Sequence, residues 1–212
     1  MPLNLIKTYS ALLDLAQFNE HQRKNSLIGI FKRDIEDNPT LKFQTKQIRP
    51  IKKVEGETAM QVLFRHLTTK EDEDGKGKKL GTRSFEMARS IRLHWIKYHI
   101  EERKKNNIEV FSYLDRVNGI NAIRTYIYDL EQEYVVILEP QKSGLDYYLL
   151  TAYHLNEPGG KKQIEKKKNR RNSLKPQGSV HIVMYRASKL LLREYGKMSG
   201  ANLQHYYKMV TM

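Results

Sequence analysis

Apolar residues recur at helical spacing in three stretches of the chain. Leu5, Leu12, Leu15 and Ala16 predict an amphipathic helix over residues 3–23, and Ala59, Val62, Leu63 and Leu67 predict a second over Glu57–Leu67. Between them Asn38-Pro39 and Pro50 break any long element. The strongest helical pattern is Ser84–Lys105, where Ala88, Ile91, Trp95 and Tyr98 follow spacings of three and four without Gly or Pro. The stretch Lys70–Gly81 has an acidic run, Gly75, Gly77 and several lysines, with no apolar residue before Leu80, and reads as an exposed loop or domain boundary.

After the third helix the pattern changes to β-branched and aromatic runs. Glu109–Tyr113, Ala122–Tyr128, Tyr134–Glu139 and Asp146–Leu155 read as strands. Their connections are too short for helical crossovers, so neighbouring strands should pair antiparallel. The expected fold class is α+β: a helical N-terminal part, residues 1–79, then residues 80–212 as a helix packed on a small antiparallel sheet of about four or five strands. The tail offers a further strand, Val180–Tyr185, and a helix from Ala187 to about Tyr195.

Charge narrows the partners. The 212 residues carry 38 Lys plus Arg against 24 Asp plus Glu, a net +14, while 39% hydrophobic residues suffice for a packed interior. The positive charge is concentrated in residues 161–175, where Lys161, Lys162, Lys166, Lys167, Lys168, Arg170, Arg171 and Lys175 meet one acid, Glu165. A clustered excess of this kind points to a polyanion such as RNA. The chain has no cysteine, which excludes thiol nucleophiles, thiolate zinc sites and disulfides. Neither a signal-peptide pattern nor a long apolar run is present, so no membrane partner and a cytoplasmic location are expected. No metal-ligand spacing, phosphate-binding loop or dinucleotide fingerprint appears, and no cofactor or metal is expected. Acid–base and electrostatic chemistry, or binding alone, are what these residues leave open.

Three places could carry it. At 100° per residue Arg92, Ile96, His99 and Arg103 form one stripe bordering the Ile91/Trp95/Tyr98 seam, and His94 falls outside it. Either the stripe reaches a cleft rim or it is a solvated basic face. In AIRTYIYD, alternation groups Arg124, Tyr126 and Tyr128, a set suited to phosphate contact and base stacking, or else to ordinary cross-strand aromatic pairing. In YYLLTAYHL, Thr151 and Tyr153 share one face, and His154 ends the run before a Gly-Pro turn as a base or an edge histidine.

The segments ARSIRLHWIKYHIE, RTYIYD, YVVILEP and YYLLTAYHLNEPGGKKQIEKK, within Arg83–Arg171, resemble phage-type members of the ribonuclease superfamily that groups barnase, EndoU, colicin D and RelE-like toxins. That resemblance implies a helix on a small antiparallel sheet and metal-independent endoribonuclease activity, in which the ribose 2′-hydroxyl attacks the adjacent phosphate. It implies Arg92 and Arg124 on the scissile phosphate, His99 in proton transfer, and Thr151 with Tyr153 orienting the phosphate; His154 or His94 could hold the proton-transfer role instead. Tyr126, Arg103, Lys161, Lys162, Lys166, Lys167 and Arg170 would then contact tRNA or mRNA substrate. The family further implies a toxin or phage effector with an acidic protein inhibitor. The alternative is a non-catalytic RNA- or DNA-binding or interaction protein on the same scaffold.

Overall fold

The computed structural model describes residues 2–50, 54–75, 77–117 and 119–172. The strand and helix expected over Val180–Tyr185 and Ala187–Tyr195 lie outside the described residues, as does Lys175 of the basic segment.

The fold is α+β. Its centre is four antiparallel strands, β5 (Ile108–Val117), β6 (Ile120–Asp129), β7 (Tyr134–Pro140) and β8 (Tyr147–His154), paired in chain order as the alternating runs predict. The sheet is larger than expected, because two strands from the front of the chain extend it. These are β1 (Lys42–Phe43) and β2 (Lys46–Pro50), the second of which lies parallel to β8, so the order is β1-β2-β8-β7-β6-β5. Neither has an alternating apolar signature long enough to read as a strand, and the β1–β2 hairpin turns through Gln44 at φ 54°.

The front of the chain is less helical than its periodicity suggests. Within residues 3–23 only α1 (Pro2–Leu5) and the first turn of the next helix, from Glu20, form. Buried Asn4 exchanges two bonds with the backbone of Asp14: its amide donates to the Asp14 carbonyl at 3.1 Å and its carbonyl accepts from the Asp14 N–H at 2.9 Å. The Leu13 N–H donates to the Ile91 carbonyl at 3.0 Å. These tertiary bonds hold the segment extended, with Leu13 and Leu15 in the core. Helix α2 (Glu20–Phe31) starts instead at a capping box of Asn19 and Gln22 and continues into a wider π-helical turn, Lys32–Glu36. Helix α3 (Ala59–Thr68) has the same device in Thr58 and Gln61, and its buried stripe of Val62, Leu63 and Leu67 matches the predicted period.

The expected loop over Lys70–Gly81 is a hairpin of β3 (Thr69–Glu73) and β4 (Lys79–Phe85). It has no apolar alternation to announce it. Charge pairs and side-chain bonds across the hairpin take that place: Lys79 pairs with Glu71 at 2.7 Å, and Arg83 donates to the Thr69 hydroxyl and carbonyl, each at 2.8 Å.

The predicted long helix Ser84–Lys105 is broken. Ser84 and Phe85 belong to β4, Glu86 caps the short α4 (Met87–Ser90), and α5 spans only Trp95–Ile100. Between them Arg92, Leu93, Trp95 and Ile96 donate to residues three back, at 2.9–3.3 Å. Such bonds wind the chain at three residues per turn, about 120° per residue in place of 100°.

The sheet is packed on both faces. On one, Trp95, Ile96 and Ile100 of α5 meet Ile127, Tyr134, Val136 and Leu149, together with buried residues of α2 and α3. On the other, Phe111, Tyr126, Tyr128, Val135 and Ile137 lie beneath α6 (Gly160–Asn172), which buries Ile164. Among the described residues no helix is long and apolar enough to cross a membrane.

Candidate functional site

The winding between α4 and α5 disperses the stripe of Arg92, Ile96, His99 and Arg103, whose bearings presuppose a continuous α-helix. His99 is in the core. Its Nδ1 lies 2.8 Å from the Trp95 carbonyl and its Nε2 lies 2.9 Å from Asp129 Oδ2, so both ring nitrogens face acceptors and neither faces a cleft. Asp129 also accepts from the Tyr9 hydroxyl at 2.6 Å and from the Lys104 ammonium at 3.2 Å. These donors hold its carboxyl well below the usual carboxylate range against the opposing effect of burial. Arg103 pairs with Glu101 at 2.5 Å. Arg92 donates to the Ala88 carbonyl at 2.7 Å, and its guanidinium lies 5.2 Å from the centre of the Trp95 ring. His94 is buried too, and burial pushes its imidazole down to about 4.

Arg124, Tyr126 and Tyr128 do share one face of β6, yet that face is covered. Tyr126 is fully buried and donates its hydroxyl to Asp115, while Lys167 donates to the same hydroxyl at 2.7 Å. Burial and the Asp115 carboxylate push the Tyr126 phenol up. A ring so enclosed cannot stack on a base, which corrects its expected role in substrate contact. Arg124 lies between two carboxylates, 3.9 Å from Asp115 and 3.7 Å from Glu139. The basic segment divides similarly. Lys161 pairs with Glu133 at 2.5 Å, Lys167 with Asp115 at 2.7 Å and Lys168 with Glu109 at 3.0 Å, whereas Lys162, Lys166 and Arg170 are exposed.

The residues that the fold does bring together are Thr151, Tyr153 and His154, at the end of β8, with Arg89 of α4. A cleft of about 230 Å³ lies between the end of β8, the start of α4 and the N-terminal end of α6, lined by Arg89, Tyr153, His154, Gln163 and Lys167. Two bonds fix α4 against the end of α3: the Ser90 hydroxyl donates to the Thr68 carbonyl at 3.1 Å, and Arg89 Nη1 donates to the His66 carbonyl at 2.6 Å. Arg89 Nη1 also reaches the Thr151 hydroxyl at 3.2 Å, and the guanidinium sits 5.7 Å from the centre of the Tyr153 ring.

Arg89 is the unusual group. Its Nε is buried without a hydrogen-bond partner, and no carboxylate lies within ion-pair distance of it among the described residues. Burial lowers its pKa, but a guanidinium starts so high that it stays charged at neutral pH. A half-buried cation without a counter-ion is costly to maintain unless an anion visits it. The two acids at the cleft are otherwise engaged, since Glu86 accepts from the Ala88 N–H at 3.2 Å and Glu157 pairs with Lys70. The first-turn N–H groups of α6 add partial positive charge at the same end.

Two titratable groups complete the cleft. Burial lowers the His154 imidazole and the nearby Arg92 charge lowers it further, which favours a neutral ring. Burial raises the Tyr153 phenol, which keeps it protonated, against the smaller opposing effect of Arg89. The histidine and tyrosine were readable as strand-end candidates. Arg89 was not, because its position depends on the hairpin and on α3, neither of which marks it in the sequence. Among the described residues no group of three or more His, Asp and Glu side chains is arranged to hold a metal ion.

No known family, curated protein or solved structure matches the chain.

Proposed function

We propose that the cleft binds an RNA phosphodiester and that the chain is an endoribonuclease acting through its own side chains. The observation that carries this reading is Arg89, a half-buried guanidinium with no carboxylate partner among the described residues, held by Thr151 beside Tyr153 and His154. In the reaction, neutral His154 takes the proton of the ribose 2′-hydroxyl, and the 2′-oxygen attacks the adjacent phosphorus. The bond from phosphorus to the 5′-oxygen breaks, and Tyr153 supplies a proton to that leaving oxygen. The products are a 2′,3′-cyclic phosphate and a free 5′-hydroxyl. Arg89 stabilises the extra charge on the non-bridging oxygens as it develops. A toxin or phage-effector role, with an acidic protein closing the cleft, is the biological setting the same chemistry favours.

The test is incubation of the pure protein with labelled tRNA and mRNA in excess EDTA, comparing wild type with His154→Ala and Arg89→Ala. Cleavage that falls by about 10² to 10⁴ in His154→Ala is expected for loss of a general base. Uncut RNA in every condition refutes the catalytic reading. Binding without turnover is the second reading, favoured by one observation: no carboxylate hydrogen-bonds and orients His154 among the described residues. RNA retained by the wild type but released by Arg89→Ala, with no cleavage by either, selects it.

A further inference from the structure

We infer that the outward face of α6 is a rail for the backbone of a single-stranded RNA, and that only this face of the basic helix is available to it. The inference rests on the RNA reading above but names a surface outside the cleft. At 100° per residue Lys162, Lys166 and Arg170 fall within about 80° of one another, while Ile164 lies about 160° from Lys162. The structure agrees: Ile164 is buried against the sheet, and Lys162, Lys166 and Arg170 are exposed. The cations on the inner side are committed, because Lys161, Lys167 and Lys168 each lie within 2.5–3.0 Å of a carboxylate on the sheet side. Lys162 and Lys166 have no ion-pair partner among the described residues, and the acid beside them, Glu165 at about 60° from Lys162, is taken by Lys168 at 3.1 Å.

A second observation, independent of exposure, points to an anion. The first turn of α6 carries Lys161 and Lys162 and no acid. Cations there oppose the helix dipole, so the sequence breaks a local rule of helix stability at the helix end that lines the cleft. A polyphosphate strand removes that penalty, since it brings negative charge to the positive end of the helix and continues along Lys162 and Lys166. Acidic peptide would also complement the charge, but the row shares its helix with Gln163 and Lys167, which line the cleft whose free cation suits a phosphodiester.

The experiment compares two double variants with equal change in net charge, Lys162→Gln/Lys166→Gln on the outer face and Lys161→Gln/Lys168→Gln on the inner. Binding of a fluorescent 2′-O-methyl oligouridine, which lacks the 2′-hydroxyl needed for cleavage, is titrated by anisotropy at a series of salt concentrations. The outer variant should lose about 1.4 from the slope of log K against log salt, about 0.7 for each phosphate contact on a single strand. The inner variant should keep the wild-type slope. Hydrogen exchange of the α6 amides checks that the helix is retained; if the inner double variant loses protection, Lys168→Gln alone replaces it. Equal losses in the two variants overturn the inference in favour of net charge alone, and an unchanged outer variant overturns the rail. The cleft reading is scored separately, by cleavage of a uridylyl-uridine dinucleotide too short to reach the rail. There the wild type should cleave, and absence of dinucleotide cleavage counts against the cleft chemistry while leaving the binding comparison intact.

Discussion

Replacing Asp129 with Asn should destabilise the protein by about 3–5 kcal/mol, the usual loss when one partner of a buried ion pair is removed. The structure sets this at the high end of single substitutions. Asp129 is fully buried and accepts from His99, Tyr9 and Lys104, while its Oδ1 accepts from the N–H groups of Glu131 and Gln132, each at 3.1 Å. The amide keeps the shape but substitutes a donor for one acceptor and removes the negative charge, so the Lys104 ammonium loses its buried carboxylate and keeps only the half-exposed one of Glu131 at 2.7 Å. At about 2–4 °C per kcal/mol for a chain of this size, the melting temperature should fall by roughly 6–20 °C. The same carboxyl gives a pH dependence. Its folded pKa is held below the unfolded value of about 3.9, so its contribution is complete above that value and is lost as pH falls toward the folded one. The assay is urea unfolding of wild type and variant from about pH 2 to about pH 7, so that the series runs from full contribution into the range where it declines. A variant as stable as wild type at neutral pH, or a stability difference that does not shrink on acidification, would refute the reasoning and reopen a catalytic role for His99.

The remaining expectations concern the cleft and its cover. Arg89→Lys keeps the charge but cannot reach both the His66 carbonyl and the Thr151 hydroxyl while facing a phosphate, so RNA cleavage should fall by about tenfold or more with affinity less affected; equal activity would show that Arg89 is only structural. The acidic limb of kcat/KM should lie below about 6.5, the ordinary histidine value, because burial and Arg92 lower His154, and Arg92→Gln should move that limb upward; a limb that stays fixed in the variant would remove His154 from proton transfer. Asp115→Asn should destabilise the α6 side of the sheet, measured as faster hydrogen exchange in α6 than in α3, since Lys167 and the Tyr126 hydroxyl both depend on that carboxylate; uniform exchange across the two helices would contradict it.

The four central strands were legible because each alternates between two buried faces and is closed by a short turn, which fixes both the element and its antiparallel pairing. The elements at the front were not. Periodicity cannot register that Asn4 will bind the backbone of Asp14 twice, or that the Leu13 N–H will take the Ile91 carbonyl, and these three bonds favour an extended segment before α2 and a break after α4 over one continuous helix in each stretch. The polar hairpin Thr69–Phe85 is hidden for a related reason, since its pairing rests on charge complementarity across strands rather than on apolar alternation.

The same distinction explains the site. Residue type alone put Arg124 and the cations of the basic segment forward, yet several cations of the chain serve the fold. Arg124 answers Asp115 and Glu139, Lys167 answers Asp115, Lys168 answers Glu109, and Lys104 answers Asp129. A basic composition therefore overstates the charge available to a polyanion, because intramolecular carboxylates have first claim on the side chains that face the sheet. What distinguishes a functional cation is that it is held rigidly and left without an acid. Arg89 meets that condition through Thr151 and the His66 carbonyl, a pairing across separate elements that no spacing within one element reveals. Thr151 and Tyr153 were visible because one face of a strand presents them together, and His154 because it ends that strand. Their neighbour across the cleft becomes visible only once α3, the hairpin and α4 have been placed, and it is on this neighbour that the proposed phosphodiester site rests.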